Sequence, residues 1–138
     1  MMAERSLWLY LRNGMKKSWD AARHEDRLSV GVPDVSYGVN KVNGWIELKA
    51  LNAWPKNQLT IVKIPGFTNQ QRAWLQNRGS KGGRCWLLIR VERTYLLFSW
   101  RQVHLVGTLI KTQMCAVAEH TWDNSINWAE FKQIISRL

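Results

Sequence analysis

Acidic residues are scarce in this chain. Ten Asp and Glu stand against 20 Lys and Arg in 138 residues, a formal net charge of +10. A surplus of that size favours a polyanionic partner, either nucleic acid or an anionic membrane surface. Two cysteines and three histidines are scarcer still. Cys85 and Cys115 lie far apart without a CxxC partner, so they read as reduced packing thiols, and with scattered histidines they compose no zinc pattern. No apolar run approaches the roughly 20 residues needed to cross a bilayer. The opening segment MMAERSLWLYLRNGMKK carries Glu4 and Arg5 early and lacks the apolar stretch and small-residue cleavage site of a secretory signal. The expected location is therefore the cytoplasm, the host's if the protein is viral. Repeats, low-complexity stretches and linkers are also missing, which predicts one domain over 1–138.

Apolar residues make up 46% of the chain, enough for a globular core. Tryptophan is unusually frequent at nine residues. Indoles fill cores more often than they stack on bases. Trp54, beside Pro55 in an expected loop, is the one best placed to meet a nucleic acid.

Hydrophobic spacing predicts a helix over 3–17, where Leu7, Leu11 and Met15 recur every four residues with Trp8 beside them. A short strand is expected over 26–30, then punctuation at Gly31 and Pro33, a strand over 34–39, a turn over 40–44 and a strand over 45–50. Residues 51–67 hold Pro55, Pro65 and Gly66 and form a connection long enough to suggest function. Thr68 can cap a helix running to Arg78, ended by the GSKGG turn. A buried strand over 85–91 and its hairpin partner over 94–99 follow. Two amphipathic segments, 101–118 and 128–138, complete the chain, the second opening on Asn127 with Glu130 as a capping box. The order α-β-β-β-α-β-β-α-α predicts an α/β fold, a single-domain mixed sheet flanked by helices.

The segment RHEDRLSVGVPDVSYGVNKVNGWIELKA, from Arg23 to Ala50, carries the chemistry. Glu47 and Lys49 are two apart on a strand and share a face, while Leu48 points the other way into apolar packing. If the two strands pair as a hairpin, Asp34 lies near Glu47. Two carboxylates, with the Leu48 carbonyl as a further oxygen, suit one or two Mg²⁺ (or Mn²⁺) ions for phosphodiester hydrolysis. Lys49 can orient the attacking water or neutralise charge on the phosphate. Glu47-Leu48-Lys49 would also suit an ordinary solvated face. Gly-x-Pro-Asp before the first strand, and the apolar flanks of WIELK, favour the catalytic reading.

GVPD, then WIELK, then a downstream Gln on a helix resembles the PD-(D/E)xK nuclease superfamily. The pattern is most similar to the small phage-type branch with VRR-NUC domains and Holliday-junction-resolvase-like enzymes. The resemblance covers roughly residues 4–98 and implies a restriction-endonuclease-like core. It implies that Asp34 and Glu47 bind divalent metal, that Lys49 is catalytic, and that Gln71 in TNQQRAWL joins the site. It also implies upstream acids, with Glu4 and Glu25 as the matching positions.

Lys56, Lys63, Arg72, Arg78, Lys81 and Arg84 could grip phosphate, helped by backbone amides near Gly82 and Gly83. The reading is a metal-dependent DNA endonuclease, selective for branched, junction or flap DNA by resemblance. Its alternative is a non-catalytic DNA-binding module that keeps the fold. A Trp-rich membrane-surface protein has little support, so no membrane partner is expected. Cutting a junction needs two symmetric sites, which predicts a homodimer.

Overall fold

The computed structural model of the protein describes residues 2–24 and 31–137. The expected strand over 26–30 and the candidate Glu25 lie outside the described residues. The chain forms α1 (Met2–Met15), β1 (Ala22–Arg23), β2 (Val35–Val39), β3 (Val42–Leu51), α2 (Asn69–Ser80), β4 (Arg84–Val91), β5 (Thr94–Ser99), α3 (Lys111–Val117), β6 (His120–Asp123) and α4 (Trp128–Ile135). Six strands make one sheet in the order of the sequence. Among the described residues only β3 and β4 run parallel, because α2 lies between them as a crossover; the other neighbours are antiparallel. The expected α/β class and mixed sheet are what the chain adopts.

Side-chain alternation divides the apolar residues between two faces. Ile46 and Leu48 of β3, Trp86 and Leu88 of β4, and Tyr95 and Leu97 of β5 pack under α1 and α4. Leu87 and Ile89 of β4 and Leu96 and Phe98 of β5 pack on the opposite face with Leu75 of α2 and Met114 of α3. The central strands are covered on both sides, which is why CWLLI and YLLF read as continuous apolar runs. Leu7, Leu11 and Met15 form the fully buried stripe of α1, as their spacing predicts.

Several boundaries differ from the sequence expectation. The turn before β3 is two residues and not five: Asn40 and Lys41 both take positive φ, 51° and 65°, and Val39 pairs directly with Val42. That is the backbone signature of a tight hairpin whose twist matches its strands. The expected helix over 101–118 is broken into a 3₁₀ turn at Val103–Leu105 and the short α3. Gly107, at φ 94°, reverses the chain between them in a region helices do not use. The strand β6 was not anticipated, since four residues with one buried side chain carry almost no periodic signal. Asn127 does accept from the Glu130 amide, but the Glu130 carboxylate accepts from the Trp122 indole (3.1 Å) and does not close the box.

Tryptophans take packing roles throughout. Trp8, Trp19, Trp86 and Trp122 are buried, and Trp45, Trp54, Trp74, Trp100 and Trp128 are partly buried against the two cores. Two of them fit only because the facing residue has no side chain. A Cβ on Gly14 would stand 2.0 Å from the Trp128 ring, and one on Gly79 would stand 2.1 Å from Trp100.

Tyr37 ties three elements together. Its hydroxyl donates to the Ile135 carbonyl at the end of α4 (2.6 Å) and accepts from the Trp86 indole in β4 (2.9 Å). Tyr37→Phe strands a buried indole N–H and a buried carbonyl, so it should cost about 1–3 kcal/mol. Urea unfolding of the variant measures this directly. A midpoint equal to wild type would show that the phenol contributes no net stability.

Candidate active site

β2 is five residues long and β3 is ten. Their ladder ends at the pair Val35–Ile46, while β4 follows β3 up to Leu51 on the other side. Residues 47–51 therefore have no strand partner on the β2 side among the described residues. The register, continued by one position, sets Asp34 opposite Glu47. The chain leaves the sheet at this point, and the Asp34 side chain replaces the missing strand: its Oδ2 accepts from the Leu48 amide (3.0 Å). A strand residue's carbonyl points the same way as its amide, so the Leu48 oxygen also faces this open edge.

Glu47 and Lys49 lie on the α2 side of the sheet, register neighbours of the fully buried Leu87 and Ile89. Both are themselves buried, at 1% and 6% exposure. Lys49 Nζ stands 3.2 Å from Glu47 Oε2 and 3.9 Å from Glu4 Oε1. Glu4 belongs to α1, which packs on the opposite face. It reaches Lys49 at the edge that β2 has vacated. Both Glu47 oxygens are buried without a hydrogen-bond partner among the described residues; the Lys49 contact is an ion pair that does not meet hydrogen-bond geometry. Burial first, and then the neighbouring Asp34 carboxylate, raise the Glu47 carboxyl to about 8 against the opposing pull of Lys49.

A cleft of about 260 Å³ opens beside this group, lined by Glu4, Lys49, Leu51, Ile64, Pro65 and Gly66. The Pro65–Gly66 wall closes over the ion pairs. A Cβ on Gly66 would sit 3.7 Å from Lys49 Nζ and 3.8 Å from Glu4 Oε1. This wall was not among the sequence candidates, and only the Pro-Gly step within a long connection hints at it.

The sequence candidates thus divide. Asp34, Glu47, Leu48, Lys49 and Glu4 come together. The first turn of α2 packs against the bend before Asp34: a Cβ on Gly31 would meet the Gln70 carbonyl oxygen at 2.6 Å. Gln71 is engaged in the α2 cap, where its Oε1 accepts from the Thr68 amide (3.0 Å) while its own amide donates to Thr68 Oγ1 (3.1 Å). Among the described residues no group of three Asp, Glu, His or Cys forms a ready metal cluster.

The basic candidates are spread more widely. Arg72 donates to the carbonyls of Val103 and Val106 and covers the Phe67 ring. Arg78 stacks on Trp45 and Trp74, and Arg84 donates to the Arg137 carbonyl. Lys63 donates to the Gly107 carbonyl, while Lys56 and Lys81 are exposed. Trp54 is packed on the second core under the Lys111 ammonium. The amides of Gly82 and Gly83 are not open to phosphate, because they donate to the Gly79 and Arg78 carbonyls and end α2. Cys85 is buried and free, with its thiol pushed up to about 12 by burial, as suits a packing residue. No helix among the described residues is long and apolar enough to cross a membrane.

No family model and no curated protein matches the chain. Among solved structures, it is similar to Hjc, a Holliday junction resolvase from the archaeal hyperthermophile Archaeoglobus fulgidus. The TM-score is 0.48 at 17% sequence identity, covering 73% of this chain and 77% of that one.

The raised Glu47 carboxyl makes stability depend on pH with a definite sign. The folded state keeps a proton that the unfolded chain releases near 4.5, so stability falls as pH rises from there to about 8. Glu47→Gln removes this dependence. In EDTA its stability, read from thermal melts, should match wild type near the acid end and exceed it increasingly toward pH 8, by a margin on the order of a few kcal/mol. Parallel melting curves across that range would mean that Glu47 is not held protonated.

Proposed function

We propose that the protein is a divalent-metal-dependent DNA endonuclease whose site is built from Asp34, Glu47 and Lys49. The observation that carries this reading is the buried Glu47 carboxyl group, whose two oxygens have no hydrogen-bond partner among the described residues, beside a second carboxylate, in a chain of net charge +10. Burying a carboxyl group without hydrogen bonds is costly, and the Lys49 ammonium faces only one of its two oxygens. A hard cation would satisfy them, and the donor set fits: all-oxygen ligands suit Mg²⁺ or Mn²⁺.

Asp34 and Glu47 would hold the metal, with the Leu48 carbonyl as a further oxygen. Bound there, a divalent ion supplies Lewis acidity to a phosphoryl oxygen and lowers the pKa of a water. Asp34 fixes the edge of β3 through the Leu48 amide and so sets the position of both Glu47 and that carbonyl. Were Glu47 to hold a cation, the Lys49 ammonium, now paired with it, would be available to hold the attacking water or meet charge on the phosphate. Glu4 keeps Lys49 at the edge of the sheet. Gln71 lies on the helix packed against the Asp34 bend, and its amide nitrogen remains available for the scissile strand. The basic surface supplies affinity through phosphate contacts that are indifferent to base sequence. Branched, junction or flap DNA is the proposed substrate, acted on in the cytoplasm by a homodimer with two symmetric sites. The Lys49–Glu47 pair, already closed within the protein, is the feature that would suit the competing reading, a DNA-binding module that does not cut.

Incubation with linear, nicked, flapped and four-way DNA in Mg²⁺ or Mn²⁺ tests the assignment. Wild type should cut at least one of these and be inert in EDTA. Lys49→Ala, Asp34→Ala and Glu47→Ala should each lose cleavage by a hundredfold or more, on the order expected when a positioned charge is removed. DNA binding by Lys49→Ala should stay nearly intact. Cutting in EDTA, or a Lys49→Ala variant at the wild-type rate, would remove the metal-nuclease reading. Tight binding without cutting in either metal would establish the module in its place.

A further inference from the structure

A second cleft adjoins the candidate active site. It measures about 410 Å³ and is lined by Lys63, Pro65, Arg72, His104, Gly107 and Thr108, among others. Ile64 and Pro65 line both clefts, so the two lie on either side of one short chain segment. Their charge differs. The first holds Glu4 facing Lys49, whereas among the described residues no carboxylate lines the second.

The cations here are held in place by neutral groups. Arg72 donates to the Val103 and Val106 carbonyls and rests on the Phe67 ring, 4.7 Å from its centre. Lys63 donates to the Gly107 carbonyl (3.3 Å). Carbonyl dipoles and a ring face orient a cation and satisfy some of its protons, but leave its formal charge uncompensated. Among the described residues no carboxylate pairs with Lys63 or Arg72. Two positive charges and an imidazole around one concavity leave an anion as the missing component. The 3₁₀ turn that provides His104 is the feature that broke the expected helix over 101–118. The reversal at Gly107 (φ 94°) brings its carbonyl to Lys63.

We propose that this cleft is a phosphate-binding subsite for the nucleic-acid strand, made by Lys63, Arg72 and His104, which positions the backbone next to the Asp34–Glu47–Lys49 site. The proposal rests on the nuclease reading for its role and on the cleft's own geometry for its chemistry. Arg72 is the fixed element, since its guanidinium is held from three sides. Lys63 and His104 are exposed and supply the contacts that close on the phosphate. A strand gripped there crosses the Ile64–Pro65 segment to enter the first cleft. The ligand is either an internal phosphodiester or a terminal phosphate.

Full-length protein in Ca²⁺ is titrated with short single-stranded oligonucleotides that carry either a 5′-phosphate or a 5′-hydroxyl. The double variant Lys63→Gln/His104→Gln should bind about tenfold more weakly, with a salt slope lower by about one for each lost cationic contact. Arg93→Gln, on the exposed β4–β5 turn, makes the same charge change as Lys63→Gln and should do neither. If both oligonucleotides respond, the subsite takes internal phosphates; if only the phosphorylated one responds, it takes a strand end. Inorganic phosphate should shift the Gly107 and Thr108 amide resonances of wild type and leave those of the double variant unmoved. Equal behaviour of the double variant and Arg93→Gln, or unmoved resonances in wild type, would overturn the subsite. Two patterns separate it from the nuclease reading. A wild type that binds through the cleft but cuts nothing in Mg²⁺ or Mn²⁺ keeps the subsite and removes the nuclease. A wild type that cuts, with a double variant matching Arg93→Gln in binding, removes the subsite and keeps the nuclease.

Discussion

The mismatch in length between β2 and β3 is the constraint on which the site depends. Five residues of β2 pair with the first half of β3, and the second half continues alone beside β4. A sheet edge with unpaired amides and carbonyls must be satisfied by something. Asp34 does so through the Leu48 amide, which places its carboxylate beside Glu47. The same vacancy admits Glu4 from the far face and leaves room for a cleft against Pro65 and Gly66. Had β2 been longer, a neighbouring strand would fill the space where these groups meet.

Electrostatics sharpen the same point. The chain carries twice as many basic as acidic residues, yet three of its acids and one lysine converge at a single edge. Glu47 is buried among apolar neighbours, close to Asp34, and one oxygen faces Lys49. Stability alone does not select this arrangement, because a hydrophobic residue of similar size would pack there without a desolvation penalty. Under the proposed function, the arrangement is a site kept poised for a cation and a phosphate. The second cleft differs in character, with cations oriented by carbonyls and, among the described residues, without a facing carboxylate.

Much of the remaining architecture serves to hold that edge still. The two faces of the sheet are packed separately, α1 and α4 on one and α2 and α3 on the other. Tyr37 links β2 to β4 and to the end of α4, close to where the β2–β3 ladder must stop. Tryptophans seated on Gly14 and Gly79 lock helix and loop against the core at positions where any side chain would collide. Dense aromatic packing of this kind favours one arrangement over sliding alternatives.

The sequence by itself determined the class of fold, most elements and the central constellation. Period-four spacing marked α1, apolar runs marked β4 and β5, and the two-residue step from Glu47 to Lys49 placed them on one face, because these are local properties of the chain. It also brought Asp34 to Glu47, since a hairpin leaves few registers open. Short or irregular pieces were not legible. The four residues of β6, the break before α3 and the two-residue turn at Asn40–Lys41 depend on pairing partners and left-handed backbone, not on a repeating pattern. Only the tertiary structure decided the rest: that β2 stops at Val35, that Glu4 crosses the vacated edge, that Pro65 and Gly66 wall the cleft, and that Lys63, Arg72 and His104 share a second one. Those groups are distant in the chain, and the contacts that assemble them are set by where strands end and helices pack. No local spacing records that information.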